Sequence, residues 1–246
     1  GYDRRSQLTS ASISNINGST WTADYSYYDD GNIDEKEINS TDTTTYSYDH
    51  DLMTAASGAE SFSLTWNNNG NMTTGPLADL QYNWDSKLRT AVDPADANDS
   101  IALRYDSTGN RLWKISNTAT TTTGRRFIVD PIGNLPVVLM EIDPNTTTFD
   151  PCNFDPNGSI IDRTYIYVHA QPIAMFDGDM DTGTKYFYLH DRLGSVRALV
   201  DSSGDVVNRY TYEPYGSDFT SETEETVDNF FKFTGQYHDE EIEQYY

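Results

Sequence analysis

The chain has 246 residues, a net charge of −23 from 39 acidic against 16 basic side chains, 36% hydrophobic residues and 13% aromatics, with 18 tyrosines. Low apolar content with so many rings argues against disorder and suits narrow β layers filled by large side chains. A surface this acidic repels phosphate backbones and anionic membranes, and no stretch approaches the 18 or so apolar residues of a spanning helix.

The first segment, residues 1–115, repeats itself. Tyr28-Asp29-Asp30-Gly31-Asn32-Ile33 returns as Trp66-Asn67-Asn68-Asn69-Gly70-Asn71-Met72 and as Tyr105-Asp106-Ser107-Thr108-Gly109-Asn110-Arg111-Leu112. Shorter copies begin at Tyr2-Asp3, Tyr48-Asp49 and Trp84-Asp85, so the anchors stand at 2, 28, 48, 66, 84 and 105. A period of 18 to 26 residues is the mark of a quasi-one-dimensional array. Between anchors, Tyr25-Ser26-Tyr27, Thr45-Tyr46-Ser47-Tyr48 and Ser61-Phe62-Ser63-Leu64-Thr65-Trp66 alternate ring and polar residue, the pattern of a strand with one buried face. Asp106-Ser107-Thr108-Gly109 fits a type I turn closed by a bulged glycine, so each unit reads strand, turn, strand.

The second segment, 116–163, holds a threonine run at 118–123 and Asp-Pro steps at Asp130-Pro131, Asp143-Pro144, Asp150-Pro151 and Asp155-Pro156. Proline breaks ladders, so loops interrupt the sheet there. Two strands are expected between them, Arg125–Val129 and Leu135–Ile142, the second buried on both faces because it is almost continuously apolar. Cys152 is alone, so no internal disulfide exists, and no base near it in sequence marks it as a nucleophile.

The third segment, 164–246, predicts strands at Thr164–Val168 and Lys185–Leu189, then a hairpin joining Ser195–Asp201 to Val206–Tyr212 through Ser202-Ser203-Gly204-Asp205. Ser221–Asn229 is the only helix candidate, short and highly charged. Gly1 in place of an initiator Met, and an end within the aromatic run at Tyr245-Tyr246, suggest a piece of a longer or processed polypeptide.

Four blocks in this last segment carry a family likeness. Tyr188-Leu189-His190-Asp191-Arg192-Leu193-Gly194-Ser195-Val196-Arg197, Asp201–Val207, Tyr212-Glu213-Pro214-Tyr215-Gly216 and Phe233-Thr234-Gly235-Gln236-Tyr237-His238-Asp239-Glu240-Glu241 resemble, in order and spacing, the RHS-repeat-associated core. The Tyr-Asp units upstream resemble the YD repeats that precede it. The likeness covers most of the chain and matches 116–163 poorly. It implies an all-β fold in which YD-repeat hairpins form a curved antiparallel sheet, a partial strip of the cocoon-like shell of polymorphic toxins, insecticidal toxin complex C components and teneurins. It also implies a C-terminal effector released by an autoproteolytic cut, made at an Asp-Pro-x-Gly-Leu motif beyond the core. The sequence ends before the place where that motif and the effector would follow. The upstream Asp130-Pro131-Ile132-Gly133-Asn134 and Asp155-Pro156-Asn157-Gly158 read as turns, so self-cleavage is not expected. The chain departs from the family again at Glu241-Ile242-Glu243-Gln244-Tyr245-Tyr246, where Thr-Gly-Leu usually precedes the tyrosines.

Two constellations could carry chemistry. His190-Asp191 could act as a general base on Ser195, although no nucleophile elbow surrounds the serine; the plainer reading has Asp191 capping a turn and Arg192 pairing with an acid. Asp177, Asp179 and Asp181 alternate as calcium ligands do, yet Gly183 stands seventh where an EF-hand has its glycine sixth, and Tyr188 stands twelfth in place of Glu; the plainer reading is an acidic hairpin turn. No other cofactor is indicated.

The sequence is therefore expected to serve as a secreted or cell-surface scaffold. Its unpaired strand edges would meet the remainder of a larger shell or further copies of itself. Two rival classes stand beside this: a secreted hydrolase acting on glycosides or esters, recognised by paired carboxylates of raised pKa or by His190 within reach of Ser195, and a carbohydrate-binding module, recognised by exposed rings facing a glycan.

Overall fold

The computed structural model describes residues 1–14, 20–131, 135–143 and 160–246. Cys152, the Asp-Pro steps completed by Pro144, Pro151 and Pro156, and the greater part of the Asp130–Asn134 motif lie outside them. By contacts the chain forms two compact units, Gly1–Leu80 and Gln81–Tyr246.

In the first unit, β1 (Ser10–Ser14), β2 (Thr20–Tyr27), β3 (Ile33–Ile38), β4 (Asp42–Asp49), β5 (Leu52–Gly58) and β6 (Phe62–Ser63) make one sheet in chain order, each strand antiparallel to the next. The expected alternation decides the faces. Ala23 and Tyr25 of β2, and Thr44 and Tyr46 of β4, are buried at every second position. The short strands β7 (Thr65–Trp66) and β8 (Met72–Thr74) pair next, followed by β9 (Asp79–Tyr82), which begins at the end of the unit.

The second unit continues the same plan with β10 (Leu88–Val92), β11 (Ser100–Tyr105), β12 (Arg111–Asn117), β13 (Thr122–Asp130), β14 (Val137–Asp143) and β15 (Ile160–Val168). Then come β16 (Gln171–Asp177), β17 (Thr184–His190), β18 (Val196–Asp201), β19 (Val206–Arg209) and the two-residue edge strand β20 (Glu224–Glu225). Neighbours in sequence are neighbours in the sheet throughout. The remaining chain turns back over the sheet and ends in the small pair β21 (His238–Asp239) and β22 (Gln244–Tyr245). Helical backbone among the described residues is confined to 3₁₀ turns at Thr220–Glu222 and Phe233–Gly235, so Ser221–Asn229 is not a helix.

One turn recurs, and it explains the repeat. At Asp106 the backbone N–H donates to Asn110 O and the carbonyl accepts from Gly109 N–H, while Oδ1 accepts the N–H groups of Thr108 and Asn110 at 2.8 and 2.9 Å. The same four bonds form around Asp3, Asn67, Asn83, Asp191 and Asp201. The fourth residue must turn left-handed, which glycine does without strain: Gly109 has φ +89° and Gly194 φ +93°. Where serine holds that place, as at Ser86 (φ +57°), the side-chain carbonyl of Asn83 holds the turn in the disfavoured region. A bulge falls immediately before or at the ring that precedes the turn, as at Arg104/Tyr105, Leu189/His190 and Thr65/Trp66.

This frame corrects two anchors. The fifth repeat turns on Tyr82-Asn83, and Trp84, taken from sequence as its anchor ring, is 93% exposed. The second repeat turns on Tyr28 itself, so Tyr27 occupies the ring position before it. The strand expected at Leu135–Ile142 is also corrected. It runs from Val137 to Asp143, its apolar residues are only partly covered, Leu135 is exposed, and its fully buried side chain is the carboxylate Glu141.

Candidate functional site

The residues that come together from furthest apart lie where 210–246 folds over the second unit's sheet. The core there is mostly rings: Phe127, Tyr165, Tyr188, Tyr210, Tyr212, Phe230, Phe231 and Tyr237, with Met175, Val196 and Leu199 beneath. Phe231 sits edge-on to Tyr165 at 4.9 Å and to Tyr237 at 5.5 Å, the packing that ring quadrupoles favour.

Into this apolar layer the fold draws five of its scarce cations. Arg111 on β12 is buried, with Nη1 2.5 Å from Asp239 Oδ2 and its guanidinium 4.2 to 4.8 Å from the ring centres of Tyr246, Phe127 and Tyr237. Lys114, on the same strand, reaches Asp239 at 3.3 Å and Glu241 at 2.9 Å. Arg125 on β13 pairs with Glu141 at 2.9 Å and Asp162 at 3.2 Å, and Arg163 on β15 pairs with Asp162 and Asp228. Arg125 and Arg163 also face the Phe230 ring, at 4.6 and 4.7 Å. Lys232 lies among Asp218, Glu225 and Glu240 at 3.4 to 3.7 Å. Charges held this deep persist only when paired and hydrogen-bonded. Burial opposes the charge on Arg111, but Asp239 more than offsets it, so the group is held more basic than usual. Burial likewise opposes ionisation of Glu241, and Lys114 outweighs it, holding the carboxyl below its ordinary value. At Glu225 burial wins over Lys232 and the carboxyl is pushed up.

Two of the motif blocks interlock here. Ser195 Oγ accepts the backbone N–H of Thr234 at 3.0 Å, and Val196 N–H donates to Lys232 O at 3.0 Å. A methyl group on Gly235 would stand 3.1 Å from Gly194 O, so the two glycine turns touch through backbone. The chain's last residues join the same closure: Tyr246 N–H donates to Tyr237 O, and Tyr246 Oη accepts the N–H of Arg111 at 3.0 Å.

The candidates from sequence fall as follows. Asp191 Oδ1 accepts the Leu193 and Ser195 N–H groups, which makes it the turn cap of the plainer reading. Arg192 forms no ion pair with the described residues. Ser195 is fully buried and its hydroxyl is bonded to Thr234. His190 lies beside the Tyr188 ring with its Nε2 buried and without a hydrogen-bond partner; burial lowers its pKa and Asp191 opposes that. No hydrogen bond among the described residues joins the imidazole to Ser195 or Asp191, so the three side chains form no proton relay. Asp177, Asp179 and Asp181 sit in the loop between β16 and β17. Both oxygens of Asp179 are taken up by Asp181 N–H, Thr182 N–H and the Thr182 hydroxyl. Among the described residues no group of three acidic, His or Cys side chains is placed to hold a metal ion.

Sequence reasoning missed the cation cluster. Its one visible signal was Glu141, a lone carboxylate inside an apolar strand, which calls for a buried cation beside it.

A sheet of chain-ordered hairpins, each closed by the same turn, with a terminal segment folded back over it, is an RHS-type shell fold, and it bears out the resemblance carried by the core and YD motifs. No protein-family model matches the chain. It superposes over its whole length on 13% of a chain in the crystal structure of TcdB2-TccC3-Cdc42, with TM-score 0.68 and 18% identity. The corresponding values for a Tc holotoxin pore of Photorhabdus luminescens are 13% of that chain, TM-score 0.72 and 16% identity. Over 187 residues, 75% of the chain, it is 27% identical to the tRNA3(Ser)-specific nuclease WapA of Bacillus spizizenii and 26% identical to the tRNA nuclease WapA of Bacillus subtilis. It spans 7% of the length of each of these nucleases. No helix among the described residues is long and apolar enough to cross a membrane.

Proposed function

We propose that this chain is a structural wall segment of an RHS-type shell, secreted or displayed at a cell surface. In this reading residues 1–115 supply repeat wall, 116–163 a loop-rich insertion, and 164–246 the core segment that closes it. The observation that carries the reading is the fold-back itself. Buried ion pairs and backbone hydrogen bonds hold 228–246 against β12–β18, and of the candidate catalytic groups Asp191 caps a turn and Ser195 is bonded to Thr234.

The nuclease activity of the WapA relatives is not carried over. The similarity covers a small part of those proteins, and a charge of −23 repels the phosphates that a nuclease must approach. The short acidic edge strand Glu224–Glu225 discourages unregulated strand addition, so docking is proposed to be with the rest of a larger shell or with further copies. The test is the mass and oligomeric state of the native particle, by light scattering and electron microscopy. A regular assembly or a stable complex with flanking shell repeats supports the proposal. A monomer that turns over ester or glycoside substrates contradicts it.

A further inference from the structure

Strands β15–β18 are apolar on both sides. Tyr165-Ile166-Tyr167-Val168, Ile173-Ala174-Met175-Phe176 and Tyr186-Phe187-Tyr188-Leu189 lack the ring/polar alternation of the first unit's strands. Near-continuous apolar strands belong to sheets covered on two faces. Among the described residues only one face is covered. Tyr165 and its register partner Met175, and Tyr188 and its partner Leu199, point into the ring core under 210–246.

The residues between them point the other way. Ile166, Ala174, Phe187, Val200 and Val206 stand directly opposite one another from strand to strand. They make an unbroken apolar row across β15–β19, about 19 Å long at the usual strand spacing. Phe187 is 41% exposed, and Leu189, two places on along the same face, and Val206 are each 49% exposed. Single exposed apolar side chains are ordinary, but a row in register is a patch of the kind that marks a docking surface.

The charge on this face runs against that of the chain. Lys185 is in register with Phe176 and 5.1 Å from its ring centre, and Arg209 is in register with Ala198; both point outward and are exposed. Neither forms an ion pair with the described residues, in a chain of 39 acidic side chains. Carboxylates of the same strands lie on the covered side: Asp177 opposite Arg163, Asp201 opposite Tyr186, and Asp162 paired with Arg125. Glu224, opposite Arg209 on the edge strand, is the exception.

We infer that this face docks an amphipathic helix of a partner protein, apolar along one stripe and flanked by Asp or Glu. An edge is extended by backbone hydrogen bonds, whereas a face is covered by side chains, and a helix covers a sheet in this way. Carboxylates beside the stripe meet Lys185 and Arg209. Face-to-face pairing with a second copy brings surfaces of like charge together and is disfavoured. The inference stands on this face alone and does not require the shell reading.

The test is fluorescence anisotropy of a labelled peptide of about five helical turns, leucine on one stripe and glutamate elsewhere, titrated with the intact chain, a lysine-for-glutamate peptide serving as control. The net charge of −23 favours the lysine peptide over the rest of the surface, so binding of the glutamate peptide reports this face and not the bulk field. The glutamate peptide is expected to bind saturably and more weakly at high salt. Leu189→Ser with Val206→Ser, and separately Lys185→Glu with Arg209→Glu, weaken it about tenfold or more while the melting temperature stays nearly unchanged, because these side chains are exposed. No saturable binding of the glutamate peptide overturns the inference, as does equal binding by both variants. Self-association of the chain that Leu189→Ser abolishes overturns it in favour of a second copy. Pelleting with phosphatidylglycerol vesicles that the same variant abolishes overturns it in favour of a lipid surface.

Discussion

Arg111 and Asp239 are 128 positions apart in sequence and form a buried ion pair, the guanidinium lying between three aromatic rings. Both side chains are buried, and although Asp239 also pairs with Lys114, Arg111 has no second carboxylate among the described residues, so removing Asp239 strands it. Asp239→Asn is expected to destabilise the second unit by about 3–5 kcal/mol, read as a lowered urea midpoint. The double change Arg111→Met with Asp239→Leu should be much less damaging than the sum of its single changes, because it leaves no unpaired charge.

Two glycines with the same backbone conformation should respond differently to a methyl group. Gly204 has φ +90° and open space around it, so Gly204→Ala carries only left-handed strain, about 1–2 kcal/mol. Gly216 has φ +97°, and a Cβ there would stand 2.6 Å from the Phe233 ring, inside the core segment. Gly216→Ala is therefore expected to cost clearly more than Gly204→Ala in paired thermal melts.

Buried tyrosines set an alkaline limit. Burial holds Tyr165, Tyr188 and Tyr237 far above the usual phenol value, Glu141 adding to it at Tyr165 and Tyr237. The folded protein keeps these protons after the unfolded chain has begun to lose them. Their contribution is complete below about pH 10 and declines above it by about 1.4 kcal/mol per pH unit for each ring. Unfolding free energy should thus fall by about 4 kcal/mol per pH unit once above pH 10, and the tyrosinate absorbance contributed by these three rings should appear together with loss of structure.

The acid side has the opposite origin. Burial lowers the pKa of His190 and, with Lys232, that of His238, so the unfolded chain binds protons first as pH falls through the ordinary histidine range. Asp218, Glu240 and Asp239 face His238 and act against this without reversing it. Stability is predicted to drop between about pH 7 and pH 5, and to drop further as Glu241 is protonated, while Glu225 acts in the opposite sense. His238→Gln should flatten the first part of that profile in pH-dependent melts.

The fold was legible because its rules are local. Period-two alternation placed Tyr25 and Tyr46 on the buried face, and Asx-x-x-Gly marked the turns at Asn67, Asp106, Asp191 and Asp201. The frame slipped at Trp84 because a Trp-Asp pair imitates Tyr-Asp, and only the hydrogen bonds of Asn83 reveal which residue opens the turn. The closure was not legible. Arg111 with Asp239, and Ser195 with Thr234, are pairs whose members are each locally ordinary; what makes them matter is burial, which no short-range pattern carries. Ser195 read as a possible nucleophile for the same reason, since an unexplained serine after His-Asp looks free until its partner 39 residues on is seen.

Hydrogen exchange on the intact chain tests the fold-back most directly. The account predicts that the amides of Val196, Lys232, Thr234, His238 and Tyr246 are protected with those of β12–β18, and that Asp239→Asn lowers protection of both together. Free exchange across 228–246 while β12–β18 stays protected would contradict it.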